Sequence, residues 1–344
     1  EPLHHFLRVI SNYWLGTQEY ILLFIITFDV IRRVTGHSFF MKYRYPAMLH
    51  TMPKNLVIFG GFAIGLILMV SIYGVLHARR VYVRQDPVVI EKSSSLPGLK
   101  IALIADLHLG YNSTKSHVRK IVDTINSQNV DLVCIAGDLF DNDYDAIKDP
   151  DKVADILSGI KSRYGTYACW GNHDVSEKIL AGFTFPQKET IVRDGRFTEF
   201  LHHAGITMLE DETVCIDNAF YLIGRRDKDM AKKEQLSRKT FAEITEPLDP
   251  SLPIIVMDHQ PGELSEASDA GVDLDLSGHT HDGQMFPANL VIHFLWENAC
   301  GVLKKGSMTS IVTSGAGVWG PAMRVGTNNE VVIANVSFDP ATDQ

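Results

Sequence analysis

Five short segments of the chain carry side chains of the types that bind metal ions. Each segment follows a run of apolar residues with the length and composition of a buried strand. The polar pairs in these segments are Asp106 and His108, Asp138 and Asp141, Asn172 and His173, Asp258 and His259, and His279 and His281. Carboxylate and imidazole ligands together suit Mn²⁺, Fe or Zn²⁺, and so many imidazoles argue against a Ca²⁺ site.

The spacing inside two segments suggests how their ligands are aimed. His279 and His281 flank one threonine, and Asp106 and His108 flank one leucine. Residues two apart in an extended segment point to the same side, so we expect each pair to face one point in space. A single His-x-His is more often an ordinary polar loop, and a single Asp at a strand end is commonly a turn residue or a helix cap. The prediction therefore depends on all five segments together.

Two cations at such a site would give it a defined chemistry. Metal ions about 3.5 to 4 Å apart can hold both the attacking and the leaving oxygen of an in-line displacement at phosphorus. Asp138 follows Gly137 and has two carboxylate oxygens to share between two cations. The residue types therefore favour hydrolysis of a phosphate ester.

The elements that must position these residues form an α/β pattern after residue 98. Apolar strands alternate with helical segments such as residues 114–129, where Val118, Ile121, Val122 and Ile125 share one face. Later strands are predicted at 219–224, 252–257, 273–277, 308–313 and 330–336. The charged region 175–250 is predicted to be irregular, as a lid or an insertion. Ligands of open α/β sheets collect beyond the carboxyl ends of the strands, so the five polar segments should meet in one crevice.

The motifs themselves resemble a known family. DLH at 106–108, GDLFD at 137–141, GNHD at 171–174, the His259 of MDHQP and GHTH at 278–281 are similar to the five signature blocks of the calcineurin-like metallophosphoesterases. The resemblance implies a four-layered α/β/β/α sandwich with two divalent metal ions, Mn²⁺ first and Zn²⁺ or Fe as alternatives. It assigns Asp106, His108 and His281 to one metal, Asn172, His259 and His279 to the other, and Asp138 to both.

The same resemblance implies a catalytic role for His173. In the family a bridging hydroxide or a metal-bound water attacks phosphorus, and His173 would stabilise or protonate the departing oxygen. A histidine fits this role because its ordinary pKa of about 6.5 lets it hold a proton near neutral pH. Asp174 would either orient that imidazole or cap a helix.

Three arginines are candidates for binding the substrate. The N-terminal apolar stretches, the HTHxGQ motif with Asp282 at its variable position, and the late TSGAGVWGPAMRVG stretch resemble a membrane-associated branch of the family. That branch includes bacterial phosphodiesterases and UDP-diacylglucosamine diphosphatases. It usually has glycine at the position of Asp282, and acidic residues where this chain has Arg225 and Arg226. Those two arginines and Arg324 could bind a second phosphate, or they could be solvated turn residues. Trp319 and Met323 could form an apolar wall near a bilayer.

Two apolar stretches near the N-terminus predict a multi-pass protein of the cell membrane. Residues 55–77 contain no Asp, Glu, Lys or Arg, and their length of about 35 Å as a helix would cross the hydrocarbon core. Residues 13–31 are predicted to be a second membrane helix. We therefore predict a membrane region with linker at 1–95 and a catalytic domain at 96–344. Basic residues are equally numerous on the two sides of these spans, so the side of the catalytic domain is undetermined.

The distribution of net charge along the chain limits the classes of binding partner that are expected. Residues 1–95 have a net charge of +5 and residues 96–344 a net charge of −14. An acidic domain would repel a phosphate backbone, so no nucleic-acid partner is expected. The four cysteines have no CxxC spacing, which excludes a zinc knuckle or a redox pair of that type.

The favoured function is a membrane-anchored two-metal phosphohydrolase. Its substrate would be a phosphodiester or a diphosphate, lipid-linked or nucleotide-linked, and its macromolecular partner would be the lipid bilayer. The alternative is a catalytically silent membrane scaffold or sensor with the same fold, against which the complete ligand set and His173 argue. A protein phosphatase is disfavoured because the acidic domain shows no basic or hydrophobic docking surface.

Overall fold

The structure, a computed structural model, describes residues 2–34, 54–177, 179–180, 183–184 and 193–339. The helices are α1 Pro2–Val34, α2 Lys54–His77, α3 Lys115–Ser127, α4 Pro150–Leu157, α5 Gly195–His203, α6 Lys228–Glu234, α7 Phe241–Thr245, α8 Leu264–Asp269 and α9 Ala288–Leu295. The strands are β1 Tyr82–Ile90, β2 Leu99–Ile104, β3 Leu132–Ala136, β4 Thr166–Cys169, β5 Ile179–Leu180, β6 Phe183–Thr184, β7 Ile206–Met208, β8 Glu212–Ile216, β9 Phe220–Gly224, β10 Ile254–Met257, β11 Leu274–Ser277, β12 Gly301–Lys305, β13 Met308–Val312 and β14 Glu330–Phe338.

Two six-stranded sheets form the centre of the catalytic part. The first sheet has the order β1-β14-β2-β3-β4-β7, and the second has the order β12-β13-β11-β10-β9-β8. Strands β2, β3 and β4 run parallel, as do β9, β10, β11 and β13. Their carboxyl ends therefore carry the loops in which the candidate ligands lie.

The apolar core separates into layers that confirm the predicted α/β/β/α sandwich. One buried cluster joins α3, α4 and α5 to the outer face of the first sheet. A second cluster fills the space between the two sheets, and a third joins α7 and α8 to the second sheet. The central strands of the two sheets are buried on both faces, which explains why most of them are apolar along their whole length.

Local signals explain most of these elements. The predicted apolar face of α3 is buried through Val118, Ile121, Val122 and Ile125, and the Thr114 side chain accepts a hydrogen bond from the His117 amide at its start. The five later strands all form, with ends within two residues of the prediction. The expectation of an irregular middle region is wrong where the structure describes it, because α5 to α7 and β7 to β9 lie between residues 193 and 250. Residues 178, 181–182 and 185–192 lie outside the described residues.

The predicted boundary between membrane region and catalytic domain must move. Strand β1, placed in the linker by the sequence, pairs in parallel with β14 over its full length and forms one edge of the first sheet. Its Pro87 and its charged residues conceal a strand because an edge position tolerates both. The first sheet therefore begins at Tyr82, five residues after α2 ends.

Two helices in the described part of the chain are long and apolar enough to cross a membrane, over Val9–Ile31 and Val57–His77. They contact each other through Phe28 and Phe59, whose ring centroids are 5.0 Å apart. The middle of α1 and the second half of α2 pack on the rest of the chain through a small apolar cluster that contains Tyr20, Met285 and Met323, with Val70 packed against it. The loop between the helices lies outside the described residues.

Candidate metal centre

The five polar segments meet at the carboxyl edges of the two sheets. Loops after β2, β3 and β4 come from the first sheet, and loops after β10 and β11 come from the second. In the described part of the chain they form three groups of side chains whose ligand atoms lie within 4.8 Å of one another, and the third of these, His108, Asp141 and His173, overlaps the first at His108. We name Asp106, His108 and His281 the first cluster, and Asp138, His259 and His279 the second cluster.

The first cluster is buried and tightly drawn together. The Nε2 atoms of His108 and His281 are 3.0 Å apart, and His281 Nε2 is 3.6 Å from Asp106 Oδ1. Two facing imidazole nitrogens can share only one proton, whereas a cation between them would satisfy both. Asp106 also accepts hydrogen bonds from the His279 amide through both carboxylate oxygens, at 3.1 Å each.

The second cluster centres on His259. Its Nε2 atom lies 3.2 Å from Asp138 Oδ2, 3.2 Å from His279 Nδ1 and 3.1 Å from Asn172 Oδ1. Its other ring nitrogen, Nδ1, lies 2.8 Å from the carbonyl oxygen of Ala136. A hydrogen bond to that carbonyl holds the proton on Nδ1, so Nε2 presents its lone pair to a metal.

Asp138 lies between the clusters. Its Oδ2 atom is 3.2 Å from His259 Nε2 and 3.8 Å from His108 Nε2. Its Oδ1 atom accepts a hydrogen bond of 2.8 Å from the His173 amide. One carboxylate therefore reaches ligands of both groups, as a shared ligand must.

The ligand backbones differ from the extended geometry predicted for them. Asp106, His108, Asp138, His279 and His281 have φ angles of 56°, 43°, 50°, 70° and 51°, in the left-handed region that residues other than glycine rarely adopt. Such conformations persist only where their surroundings hold them, and they gather at functional sites. The expectation that His279 and His281 face one point is wrong, because the turn sends His279 to the second cluster and His281 to the first.

Two glycines allow the loops to approach one another this closely. A Cβ atom at Gly171 would overlap Asp138, and one at Gly278 would lie 2.6 Å from Asp106 Oδ2. Each glycine therefore leaves room for a candidate ligand that comes from a different loop.

The protonation states divide the histidines of the site into two pairs. Burial lowers the pKa of His279 to about 3 and holds the pKa of His281 well below its ordinary value. Burial would also lower the pKa values of His108 and His259, but neighbouring carboxylates raise them, so a metal ion would displace a proton from these two rings. Burial would raise the pKa of Asp138, but the neighbouring His259 and His173 hold it well below its ordinary value. Neutral imidazoles and an ionised carboxylate are the forms that bind metals. The donor set therefore suits two divalent cations of the Mn²⁺, Zn²⁺ or Fe type.

His173 lies beside the first cluster, with its ring centroid 5.2 Å from that of His108. Its Nδ1 atom is bonded to Asn142 Oδ1, so Asn142 is the residue that orients this imidazole. Asp174 neither orients the ring nor caps a helix: its carboxylate accepts hydrogen bonds from the amides of Gly171 and Phe140. Burial lowers the pKa of His173 to about 4. In the site without metal ions, burial therefore favours the neutral form of this ring.

A family model described as calcineurin-like phosphoesterase matches residues 99–283, more than half of the chain and all of the five segments. The chain belongs to this family. The family's fold uses divalent metals, and the two clusters are this member's candidate ligands for them.

Several relatives are similar to this phosphoesterase. An uncharacterized metallophosphoesterase of Helicobacter pylori is 32% identical over 251 residues, which cover 72% of this chain and 62% of that protein. The chain thus spans less than two thirds of that relative's length. A zebrafish (Danio rerio) protein named transmembrane protein with metallophosphoesterase domain is 26% identical over 349 residues, covering 95% of this chain and 73% of that protein. Among solved structures, an archaeal phosphodiesterase is 15% identical with a TM-score of 0.33, covering 63% of this chain and 85% of that chain.

The three arginines predicted to bind substrate are held by protein groups instead. Arg225 is 1% exposed, lies over the ring of Phe241 and donates to Asp258 at 2.8 Å. Arg226 bonds to Glu210 at 3.0 Å and to a backbone carbonyl. A guanidinium that is buried and already bonded in this way has little left to offer a phosphate.

Arg324 is fully buried and supports the first cluster. It donates to the carbonyl oxygens of His281 at 2.8 Å, Ser314 at 2.6 Å and Gly317 at 2.8 Å. It therefore ties the turn that carries His281 to the glycine-rich stretch. Its place agrees with a positioning role and corrects the expectation of a substrate contact.

Asp141, paired with Asp138 in the sequence, and two residues that were not predicted as functional border the centre. Asp141 Oδ1 lies 3.6 Å from His108 Nδ1, and Asn142 holds His173. Asn142 directly follows the GDLFD motif, so the signal that could have identified it was its place after a strand. Trp296 packs its ring 5.3 Å from that of His279. No pattern in the sequence marks Trp296, since its contact is made only by the fold.

Proposed function

We propose that this phosphoesterase is a membrane-anchored hydrolase that uses two divalent metal ions, Mn²⁺ first, to cleave a phosphodiester or diphosphate bond. The observation that carries the proposal is Asp138, whose one carboxylate reaches ligands of both clusters. Two metals held in this way would neutralise the phosphoryl oxygens and lower the pKa of a water molecule. The chain's own residues then have to position the substrate and stabilise its charge.

His173 is proposed to act on the leaving oxygen. Asn142 holds its Nδ1 atom and thereby fixes the ring beside the first cluster. The Nε2 atom is left to donate a hydrogen bond or a proton to the departing oxygen once it carries one. Asn142 would act through His173 as a positioning residue.

Anchoring in the membrane is supported by the two apolar helices and by the zebrafish relative's name. The helices are joined to the site by direct contacts. Arg324, which supports His281, donates its backbone amide to the Gly74 carbonyl of α2 at 3.0 Å. Two hydrogen bonds, from Arg324 to Gly74 and from Arg324 to His281, therefore link α2 to a candidate metal ligand.

A cavity of about 440 Å³ supports a lipid-linked substrate over a nucleotide-linked one. His108 of the first cluster borders this cavity, and Tyr13 and Val75 of the two apolar helices line it as well. Arg79 and Lys120 add two cationic side chains to its wall. A phosphoester placed there would have its anionic group near the metals and its apolar part against the helix pair.

The test is hydrolysis of bis(p-nitrophenyl) phosphate by the full chain in detergent with Mn²⁺. We expect turnover in the wild type and a large loss in His173→Ala, with both metals still present by elemental analysis. His203→Ala is the matched control, because His203 is exposed and bonded to Asp155 away from the site. A wild-type protein that binds metal without any turnover would instead support the silent scaffold.

The substrate class needs its own comparison. Cleavage of the diphosphate bond should be measured by separating the phosphorylated products formed from a detergent-solubilised lipid diphosphate and from a nucleoside diphosphate derivative at equal concentration. The cavity beside the helix pair predicts a higher kcat/KM for the lipid. A preference for the nucleotide would contradict the lipid assignment and leave the metal chemistry intact.

A further inference from the structure

Helix α9 exposes an apolar face that nothing in the described chain covers. Leu290, Val291, Phe294 and Leu295 are 57%, 54%, 88% and 71% exposed, and no residue of the helix is buried. Their spacing places them on one side of the helix. The segment from Pro287 to Trp296 contains no Asp, Glu, Lys or Arg. Exposed apolar patches of this kind mark sites that contact a partner or a membrane.

The opposite side of α9 is polar and bonded to the metal-site turn. His293 Nε2 lies 2.9 Å from Asp282 Oδ1, and Asp282 directly follows the candidate ligand His281. A helix with one apolar face and one polar face bound to protein is typical of an element that lies in a membrane interface. Asp282, which departs from the glycine of related sequences, has its explanation in this contact.

The residues just before α9 pack on the two apolar helices. Met285, three residues before α9, is buried in one cluster with Tyr20 and Met323, and Val70 packs against that cluster. The Phe286 amide donates to the Val325 carbonyl at 2.8 Å. Val70 lies seven residues inside the apolar stretch from its end at His77, a depth of about 10 Å. If α2 crosses the bilayer, this part of the catalytic domain lies at the level of the membrane.

The other end of α9 reaches the metal centre. Trp296 follows the helix, and its ring lies 5.3 Å from the ring of His279 in an edge-on arrangement. The helix is about 12 Å long. It therefore runs from the contact with the membrane helices to a candidate ligand of the second cluster.

We propose that α9 is inserted in the lipid bilayer, with Leu290, Val291, Phe294 and Leu295 in the leaflet that α1 and α2 enter. This inference rests on the membrane anchoring in the proposed function, but it needs no catalytic activity. A bilayer fits this face better than a second copy of the chain, because α9 begins three residues after Met285, which packs with the two apolar helices, and those helices also expose large apolar side chains. The metal centre then opens beside the membrane surface, where the phosphate of a lipid arrives without leaving the bilayer.

The test uses a fluorophore whose emission depends on polarity, attached to single cysteines of the full chain. Cys215 and Cys300 are first changed to serine, and the two remaining cysteines are buried. Phe294→Cys probes α9, and Ile64→Cys, 62% exposed on α2, is the positive control. Val89→Cys, 48% exposed on β1, is the matched control on the catalytic domain, because Val89 lies twelve residues beyond the end of α2. The proteins are reconstituted into phosphatidylcholine vesicles, with and without doxyl-labelled lipid.

We expect the label at position 294 to emit at shorter wavelength than the label at 89 and to lose emission to doxyl lipid, as the label at 64 does. Iodide in the water should quench position 89 and spare position 294. Quenching of 294 by iodide alone, with 64 quenched by lipid, would overturn the inference and leave the anchoring in place. Protection of 294 from both quenchers would overturn it in favour of a protein contact. If lipid does not quench the label at position 64, both the membrane anchoring and the insertion of α9 are contradicted. The proposed hydrolysis is tested separately by the activity assay.

Discussion

The metal centre and the apolar face of α9 are neighbours, joined at His279 and Trp296, but they are constructed by opposite means. At the candidate metal centre, polar groups are buried, and five of the candidate ligands, Asp106, His108, Asp138, His279 and His281, have a rare backbone conformation. On α9, large apolar groups stand exposed on a regular helix. Burial of polar groups is tolerated only where each one has a partner, whereas exposed apolar groups have no need of defined geometry. The geometry of the candidate metal centre therefore depends on specific contacts between side chains. The stability of the α9 face depends instead on whether it is in contact with water or with an apolar medium.

The largest effect should come from the residue shared by both clusters. Asp138→Asn removes the anionic bridge, so hydrolysis of bis(p-nitrophenyl) phosphate should fall by more than about 100-fold, since losing a mere supporting group of a metal ligand already costs 10–100-fold. Asp275→Asn is the control, because Asp275 is buried but bonded to Ser277 and Ser310. The rate constants are measured together with the metal content. Full activity and two bound metals in Asp138→Asn would contradict the assignment of Asp138 as the ligand shared by both clusters.

Two phenylalanines compare the buried core directly with the exposed face of α9. Phe140 is fully buried and stacks on Phe197 with centroids 4.1 Å apart, so Phe140→Ala should cost about 3–5 kcal/mol of unfolding free energy. Phe294 is 88% exposed, so Phe294→Ala should change it by less than about 0.5 kcal/mol. Thermal unfolding in detergent measures both. Equal losses would mean that α9 packs on protein.

Arg324 tests how the metal centre is supported. Arg324→Met removes the bonds to the carbonyls of His281, Ser314 and Gly317, so metal affinity should fall by about 10–100-fold. Competition with a chelator gives the affinity. Arg226→Met is the control, since Arg226 bonds to Glu210 outside the clusters. Arg324→Lys provides a variant that keeps the buried charge if the methionine variant does not fold. Unchanged metal affinity in both Arg324 variants would contradict the positioning role.

A smaller effect is expected from a substitution that fills the space where two loops approach each other closely. The Cβ atom of Gly171→Ala would overlap Asp138, so the variant should lose about 1–3 kcal/mol through overpacking. Gly195→Ala, at the start of α5, has open space around the added atom and is the control. Unfolding and metal content are measured together, because displacement of Asp138 should lower both. A stable Gly171→Ala with full metal content would show that the loops can separate without loss.

Much of the catalytic part could be predicted from the sequence because its signals are local. Buried strands such as β3 and β10 are continuous apolar runs, and polar candidate ligands follow within two residues of their ends. Strand β1 was missed because an edge strand carries polar residues and a proline. The arginines were misjudged for a related reason. A charged residue after a strand looks available for substrate, and only its partners, such as Asp258 for Arg225, reveal that it is bonded inside the fold.

The chain by itself determined which residues can act and in what order they appear: the five segments after their strands, the two apolar helices, and the uncharged stretch that forms α9. Only the tertiary structure decided how these parts are combined. It gave the ligand loops left-handed turns in place of the extended geometry that periodicity implies, and these turns separate His279 from His281 as the family resemblance implied. It placed Trp296 against His279 and Met285 against the two apolar helices. These contacts join residues far apart in sequence, and no local pattern encodes a distance of that kind.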